Sequence, residues 1–139
     1  VVKSIVSSEL PTAVAKSYGA EMMNVLTGFK FIAEQIQHDE ETGDHTFMFG
    51  FEESYGYLVK SFVRDKDAVQ AVLLLTEVAA HFKNEGKTLY DGLQALYAKH
   101  GYFLEKTISV TVAGLEGQQK IKALFDGLRS SVTTSFGGL

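Results

Sequence analysis

The chain has 139 residues, 45% of them apolar and 22% charged, with a formal net charge of −4 and no cysteine. That balance excludes a disordered chain, and the missing cysteines exclude disulfides and thiolate-bound metals and point to a reducing cytoplasm. The absence of a basic cluster excludes nucleic acid as a partner, and no apolar run approaches the roughly 20 residues that span a membrane.

Residues 1–8 are short and β-branched and predict a first strand. They lack an initiator Met and the layout of a signal peptide, so the chain is expected to be a fragment or a processed product. Over 9–18, Leu10, Ala13, Val14 and Tyr18 share a helical face; Pro11 lies in the first turn, and Gly19 ends the helix. Residues 21–26 predict a second strand and Thr27-Gly28 a turn. Phe29, Ile32, Ala33 and Ile36 then make an amphipathic helix, followed by a polar loop over 38–44. Residues 46–51 are apolar on both faces, as in a strand covered on both sides.

Residues 65–83 predict the strongest helix. Asp65 or Asp67 caps it, and it is apolar over most of its circumference, so it is expected to be deeply buried. A further helix is predicted over 89–99. The alternation predicts an α/β fold: a three-layer α/β/α sandwich with a mixed, mostly parallel four-stranded sheet. The texture changes near Gly101. Residues 107–112 predict a lone strand, and 118–128 a helix with Ile121, Leu124, Phe125 and Leu128 on one face. Residues 130–139 predict a loose tail.

The segment Gly50-Phe51-Glu52-Glu53-Ser54-Tyr55-Gly56-Tyr57 carries the most chemistry. A buried strand runs into two adjacent carboxylates, a hydroxyl and a glycine. Ligands of open α/β sheets bind beyond the carboxyl ends of the strands, and two carboxylates there can accept hydrogen bonds from sugar hydroxyls. Thr27-Gly28-Phe29-Lys30 sits where a strand meets a helix, whose first N–H groups attract ligand oxygens. The plainer readings, taken alone, are a solvated loop for the first and a Thr cap with a Gly turn for the second. Arg64 and Lys66 offer two cations for a phosphate, while Asp65 and Asp67 fit caps better than a metal site. The four histidines lack metal-ligand spacing, and His81, ending the long helix, reads as structural.

Three of these words, in this order, resemble one family, the α-D-phosphohexomutases of the bacterial phosphoglucomutase/phosphomannomutase branch. They are Thr27-Gly28-Phe29-Lys30-Phe31, Gly50-Phe51-Glu52-Glu53-Ser54-Tyr55-Gly56 and Arg64-Asp65-Lys66-Asp67-Ala68, and the likeness covers roughly residues 1 to 130. The resemblance implies four domains around a cleft, carrying in turn a phosphoserine loop, an Asp-rich magnesium loop, a sugar loop and a phosphate loop. It implies that Glu53 and Ser54, with Glu52 beside them, hold the sugar hydroxyls. Thr27 and Gly28 then line the ligand, with Lys30 close by and Arg64 a further candidate. Lys66 faces the phosphate or assists proton transfer.

The Ser-His-Asn and Asp-x-Asp-x-Asp words of such enzymes are absent, as is their Arg-rich phosphate loop. The chain is therefore expected to hold the third, sugar-binding domain over 1–104, and a linker with the opening of the fourth over 105–139. Alone it is expected to be inactive. The implied parent interconverts hexose 1-phosphate and hexose 6-phosphate in the cytoplasm. It needs Mg2+ bound outside this chain, and glucose 1,6-bisphosphate serves as activator and intermediate. The implied partners are the hexose phosphate and the remaining domains of the same polypeptide. Residues 105–139 are expected to fold back or to pair with another copy in a non-physiological dimer. The alternatives are a phosphomannomutase or phosphopentomutase domain, or a non-catalytic carbohydrate-binding or interaction module.

Overall fold

In the computed structural model, which describes residues 1–106 and 108–130, the β-branched opening pairs only as β1, Val2–Ser4. The chain turns at once, because the Ser7 amide donates back to the Ser4 carbonyl at 3.1 Å. The expected strand over 1–8 is thus cut to three residues. Helix α1 is Leu10–Ser17, with Pro11 in its first turn, and β2 is Met23–Val25, shorter than 21–26.

Helix α2, Phe29–Thr42, runs through most of the stretch expected to be a polar loop. Gln35 donates to Asp39 and Gln37 to Glu41, so polar side chains four apart support the last turns. Gly43, at φ 74°, closes the helix in the left-handed conformation, with its amide on the Asp39 carbonyl. Strand β3 is Gly50–Glu52, not 46–51, and β4, Gly56–Leu58, supplies the fourth strand of the expected sheet at a position the sequence reading did not mark.

Helix α3, Ala68–Asn84, starts at the Asp67 cap, whose carboxylate accepts from the amides of Val69 and Gln70; Asp65 lies outside the helix. Helix α4, Leu89–His100, opens on a reciprocal Thr88–Asp91 capping box.

The sheet order is β2-β1-β3-β4, parallel except for the antiparallel β3–β4 pair. This is a mixed four-stranded α/β sheet with helices packed against it. On one face Val2 and Leu58 bury against Phe29, Ile32 and Ile36 of α2, each such side chain contributing about 1.5–3 kcal/mol. Gly50 is needed there, since a Cβ would lie 2.9 Å from Ile32. On the other face Phe49, Phe51 and Tyr57 meet Leu10 and Val14 of α1 and Leu96 of α4 around an open apolar cleft of about 480 Å³.

The expectation that α3 is deeply buried fails. None of its residues is buried; Val69, Val72, Leu73 and Leu75 are all more than half exposed. A sheet covers only one side of a helix. Ala71, Leu74 and Val78 turn toward Phe49 and Tyr57, leaving a second apolar stripe outside. His81 is exposed beside Glu85 rather than packed inside.

Residues Val1–Glu105 form one compact unit and Lys106–Leu139 another. In the second, α5 spans Gly114–Ser130, longer than the expected 118–128 and taking in Ser130. The lone strand expected over 107–112 does not form at 108–112: a strand needs a neighbour for its N–H and C=O groups, and the described residues supply none. Thr107 and the rest of the expected tail, 131–139, lie outside the described residues.

Candidate functional site

Because β2, β1 and β3 run parallel, Val25, Ser4 and Glu52 end at the same edge of the sheet. The candidate site gathers there. Glu53, Ser54 and Tyr55 form a three-residue connection closed by the Glu52–Gly56 pair. Such loops place their last residue in the left-handed region, usually as glycine. Here Tyr55 takes it, at φ 64°, the only non-glycine with positive φ among the described residues.

The two carboxylates of the loop differ sharply. Glu52 completes the pleat on the α2 face and is 8% exposed. Its Oε1 lies so close over Gly56 that a Cβ there would come within 2.7 Å. Glu53 projects from the tip, and its Oε2 accepts from the Ser4 hydroxyl at 2.6 Å. Ser54 and Tyr55 are exposed.

Lys66 joins the cluster from the segment before α3. Its Nζ lies 3.9 Å from Glu52 Oε1, 3.2 Å from Asp65 Oδ1 and 5.5 Å from the centre of the Phe29 ring. The Lys66 amide, and then its ammonium, hold the Asp65 carboxyl below its ordinary pKa. Phe29 is the first residue of α2, so Lys66 also marks where Thr27 and Gly28 meet the site. Gly28, at φ 121°, turns the chain into the helix without any side-chain cap; a threonine cap is not what starts it.

Two expected site residues contact other partners. Arg64 pairs with Glu40 and depresses that carboxyl's pKa. Glu40 stands eleven residues along α2 from Phe29, about 16 Å at 1.5 Å per residue. Lys30 is exposed, with its ammonium 4.8 Å from the centre of the Phe31 ring.

Three residues missed by sequence reasoning support the edge. Ser4 and Ser7 are buried, with their hydroxyls 2.9 Å apart. Lys3, on the opposite face of β1, is fully buried and donates to the Ser7 carbonyl at 3.0 Å and to Glu9 at 2.9 Å. The available signal was position alone: a hydroxyl at the carboxyl end of a strand that the parallel order makes central.

No helix among the described residues is long and apolar enough to cross a membrane. Nor do any three His, Asp or Glu side chains among them converge to hold a metal ion.

An acidic hairpin with an adjoining lysine thus lies at the carboxyl edge of the parallel strands of an α/β domain, where open sheets of this class bind ligands. The model of the phosphoglucomutase/phosphomannomutase alpha/beta/alpha domain III matches residues 1–100. A phosphoglucomutase of Staphylococcus haemolyticus (strain JCSC1435) is 44% identical over 139 residues, all of this chain and 25% of its own length. One of Staphylococcus aureus (strain bovine RF122 / ET3-1) is 46% identical over 140 residues, again covering 25% of its own length. Among solved structures, a putative phosphomannomutase from Thermus thermophilus superposes with a TM-score of 0.59 at 27% identity, over 72% of this chain and 21% of that one. The open form of the Paramecium phosphoprotein pp63/parafusin gives 0.59 at 25% identity, over 73% and 17%. The chain belongs to the phosphoglucomutase/phosphomannomutase family, as its domain III. It spans about a quarter of the length of the curated relatives it matches.

Proposed function

We propose that this chain is the sugar-orienting domain of a longer, cytoplasmic phosphoglucomutase-like enzyme that interconverts hexose 1-phosphate and hexose 6-phosphate through a bisphosphorylated hexose. The observation that carries the reading is the hairpin at the carboxyl edge. Glu53 and Ser54 present a carboxylate and a hydroxyl to solvent, while Lys66 supplies a cation within 4 Å of Glu52.

The chemistry of each group fits such a ligand. Glu53 Oε1 accepts from a ring hydroxyl, and the Ser54 hydroxyl both accepts and donates. The Lys66 ammonium draws the phosphate oxygens. The sugar must be held in two poses for the two transfers, and phosphoryl transfer depends mostly on positioning and charge. A rigid edge with a short, tethered loop serves that need. On this proposal the magnesium ion and the phosphorylated serine belong to other parts of the polypeptide. The outward stripe of Val69, Val72 and Leu73 on α3 supports contact with those parts, since a helix apolar on two sides is normally covered on both. Sugar phosphates are charged and do not cross bilayers unaided, which supports the cytoplasm.

The test is kinetic, in the full-length polypeptide, with glucose 1-phosphate and mannose 1-phosphate as substrates. Glu53→Gln and Ser54→Ala are expected to lower kcat/KM about ten- to hundredfold while the fold survives, the effect of losing one charge-assisted hydrogen bond. Wild-type kinetics in both variants would show that the loop does not touch the sugar.

A further inference from the structure

Glu53 stands on a loop tip, yet one of its two oxygens is already committed. Its Oε2 accepts from the Ser4 hydroxyl at 2.6 Å, and Ser4 Oγ lies 2.9 Å from Ser7 Oγ. Ser4 is 1% exposed and Ser7 6%. Both are fixed by backbone. Ser4 pairs with Val25 in the sheet. The Ser7 amide donates to the Ser4 carbonyl, and the Ser7 carbonyl accepts from the buried Lys3 ammonium.

A serine hydroxyl has one proton. An ionised carboxylate is the stronger acceptor, so Ser4 donates to Glu53 and accepts from Ser7. The order Ser7 to Ser4 to Glu53 is a directed chain that starts in the turn after β1 and ends at the loop tip.

We propose that Ser4 is the positioning residue for Glu53. It occupies Oε2, fixes the rotamer of the carboxylate, and leaves Oε1 as the oxygen that meets a sugar hydroxyl. A long side chain on an exposed tip otherwise samples several rotamers, and ordering it would weaken ligand binding. The short bond to the central strand removes that freedom before the ligand arrives. This rests on the sugar-loop reading above.

The experiment is a double-mutant cycle in the full-length enzyme, reading kcat/KM with glucose 1-phosphate together with thermal midpoints. Ser4→Ala is expected to cost about five- to tenfold in activity, within the range of one hydrogen bond to a charged group. Ser4→Thr, which keeps the hydroxyl, restores it. In a Glu53→Ala background, Ser4→Ala costs nothing further, because the group it positions is gone. Equal costs of Ser4→Ala in both backgrounds, or a silent Ser4→Ala beside an impaired Glu53→Ala, overturns the positioning role and leaves the sugar loop standing. A silent Glu53→Ala removes the sugar loop and the positioning role together. Ser4→Cys, similar in volume but a weaker donor, runs the same cycle if Ser4→Ala does not fold.

Discussion

The ring of Phe82 fills the space that a side chain at position 92 would need: a Cβ added to Gly92 would lie 2.4 Å from its Cζ. This contact joins α3 to α4. Gly92→Ala is therefore expected to destabilise the domain by about 1–3 kcal/mol, although alanine is the better helix former. Urea unfolding would show a lower midpoint at unchanged slope. Phe82→Leu in the same chain should recover part of the loss, because the two changes share one space.

Tyr55 is held at φ 64° and is 86% exposed, so little packing offsets its backbone strain. Tyr55→Gly is expected to raise the unfolding free energy by about 1 kcal/mol. Tyr55→Val should lower it, because a branched Cβ is poorly accommodated in the left-handed region. Thermal midpoints of the two variants should move in opposite directions; a shared direction would mean that the tyrosine ring, not the dihedral, decides.

Glu9 gives the domain an acid-sensitive joint. The Lys3 ammonium donates to its carboxyl and holds it below the ordinary carboxylate pKa of 4.5. Its folded-state pKa is lower than its unfolded one, so its stabilisation is present above 4.5 and lost as pH falls through the folded value. Between about pH 5 and pH 3, the wild-type chain should lose stability more steeply than Glu9→Gln. The difference between their urea midpoints across that window is the readout; parallel curves would refute the pairing.

Lys66 and Arg64 both offered a cation for a phosphate by sequence, Arg64 as the further candidate, and their partners now separate them. Lys66 reaches Glu52, whereas Arg64 reaches Glu40 at the far end of α2. In the full-length enzyme, Lys66→Met should cost at least about tenfold in kcat/KM and Arg64→Met less than about threefold. The reverse ranking would relocate the phosphate contact.

Residues 27–30, 50–56 and 64–67 stood out in the sequence because each combines glycine or charge with the edge of an apolar run. Chemistry and spacing alone could not separate Glu52 from Glu53; only the resemblance put Glu53 first. They are neighbours of one chemistry, and only the pleat sends one inward and the other to the loop tip. Ser4 was invisible for another reason: its partner lies 49 positions along the chain, and a serine in a short strand announces nothing by itself. The end of α2 was misjudged because its last turn is wholly polar; what sustains it is hydrogen bonding between side chains four apart and a left-handed glycine. Strand β4 was missed because three residues carry too little pattern for a period to show.

The sheet order also sets a timetable for synthesis. Strand β1 precedes both of its neighbours in the chain yet stands between them, and they follow about 20 and about 50 residues later. At about 5–20 residues per second, one hydrogen-bonding edge of the nascent strand waits about 1–4 s for its neighbour and the other about 2–10 s. The ribosome-bound chain must keep a short apolar segment out of trouble until Gly50–Glu52 leaves the exit tunnel. The hairpin whose tip carries the proposed ligand contacts is thus the one whose arrival covers the second edge of β1.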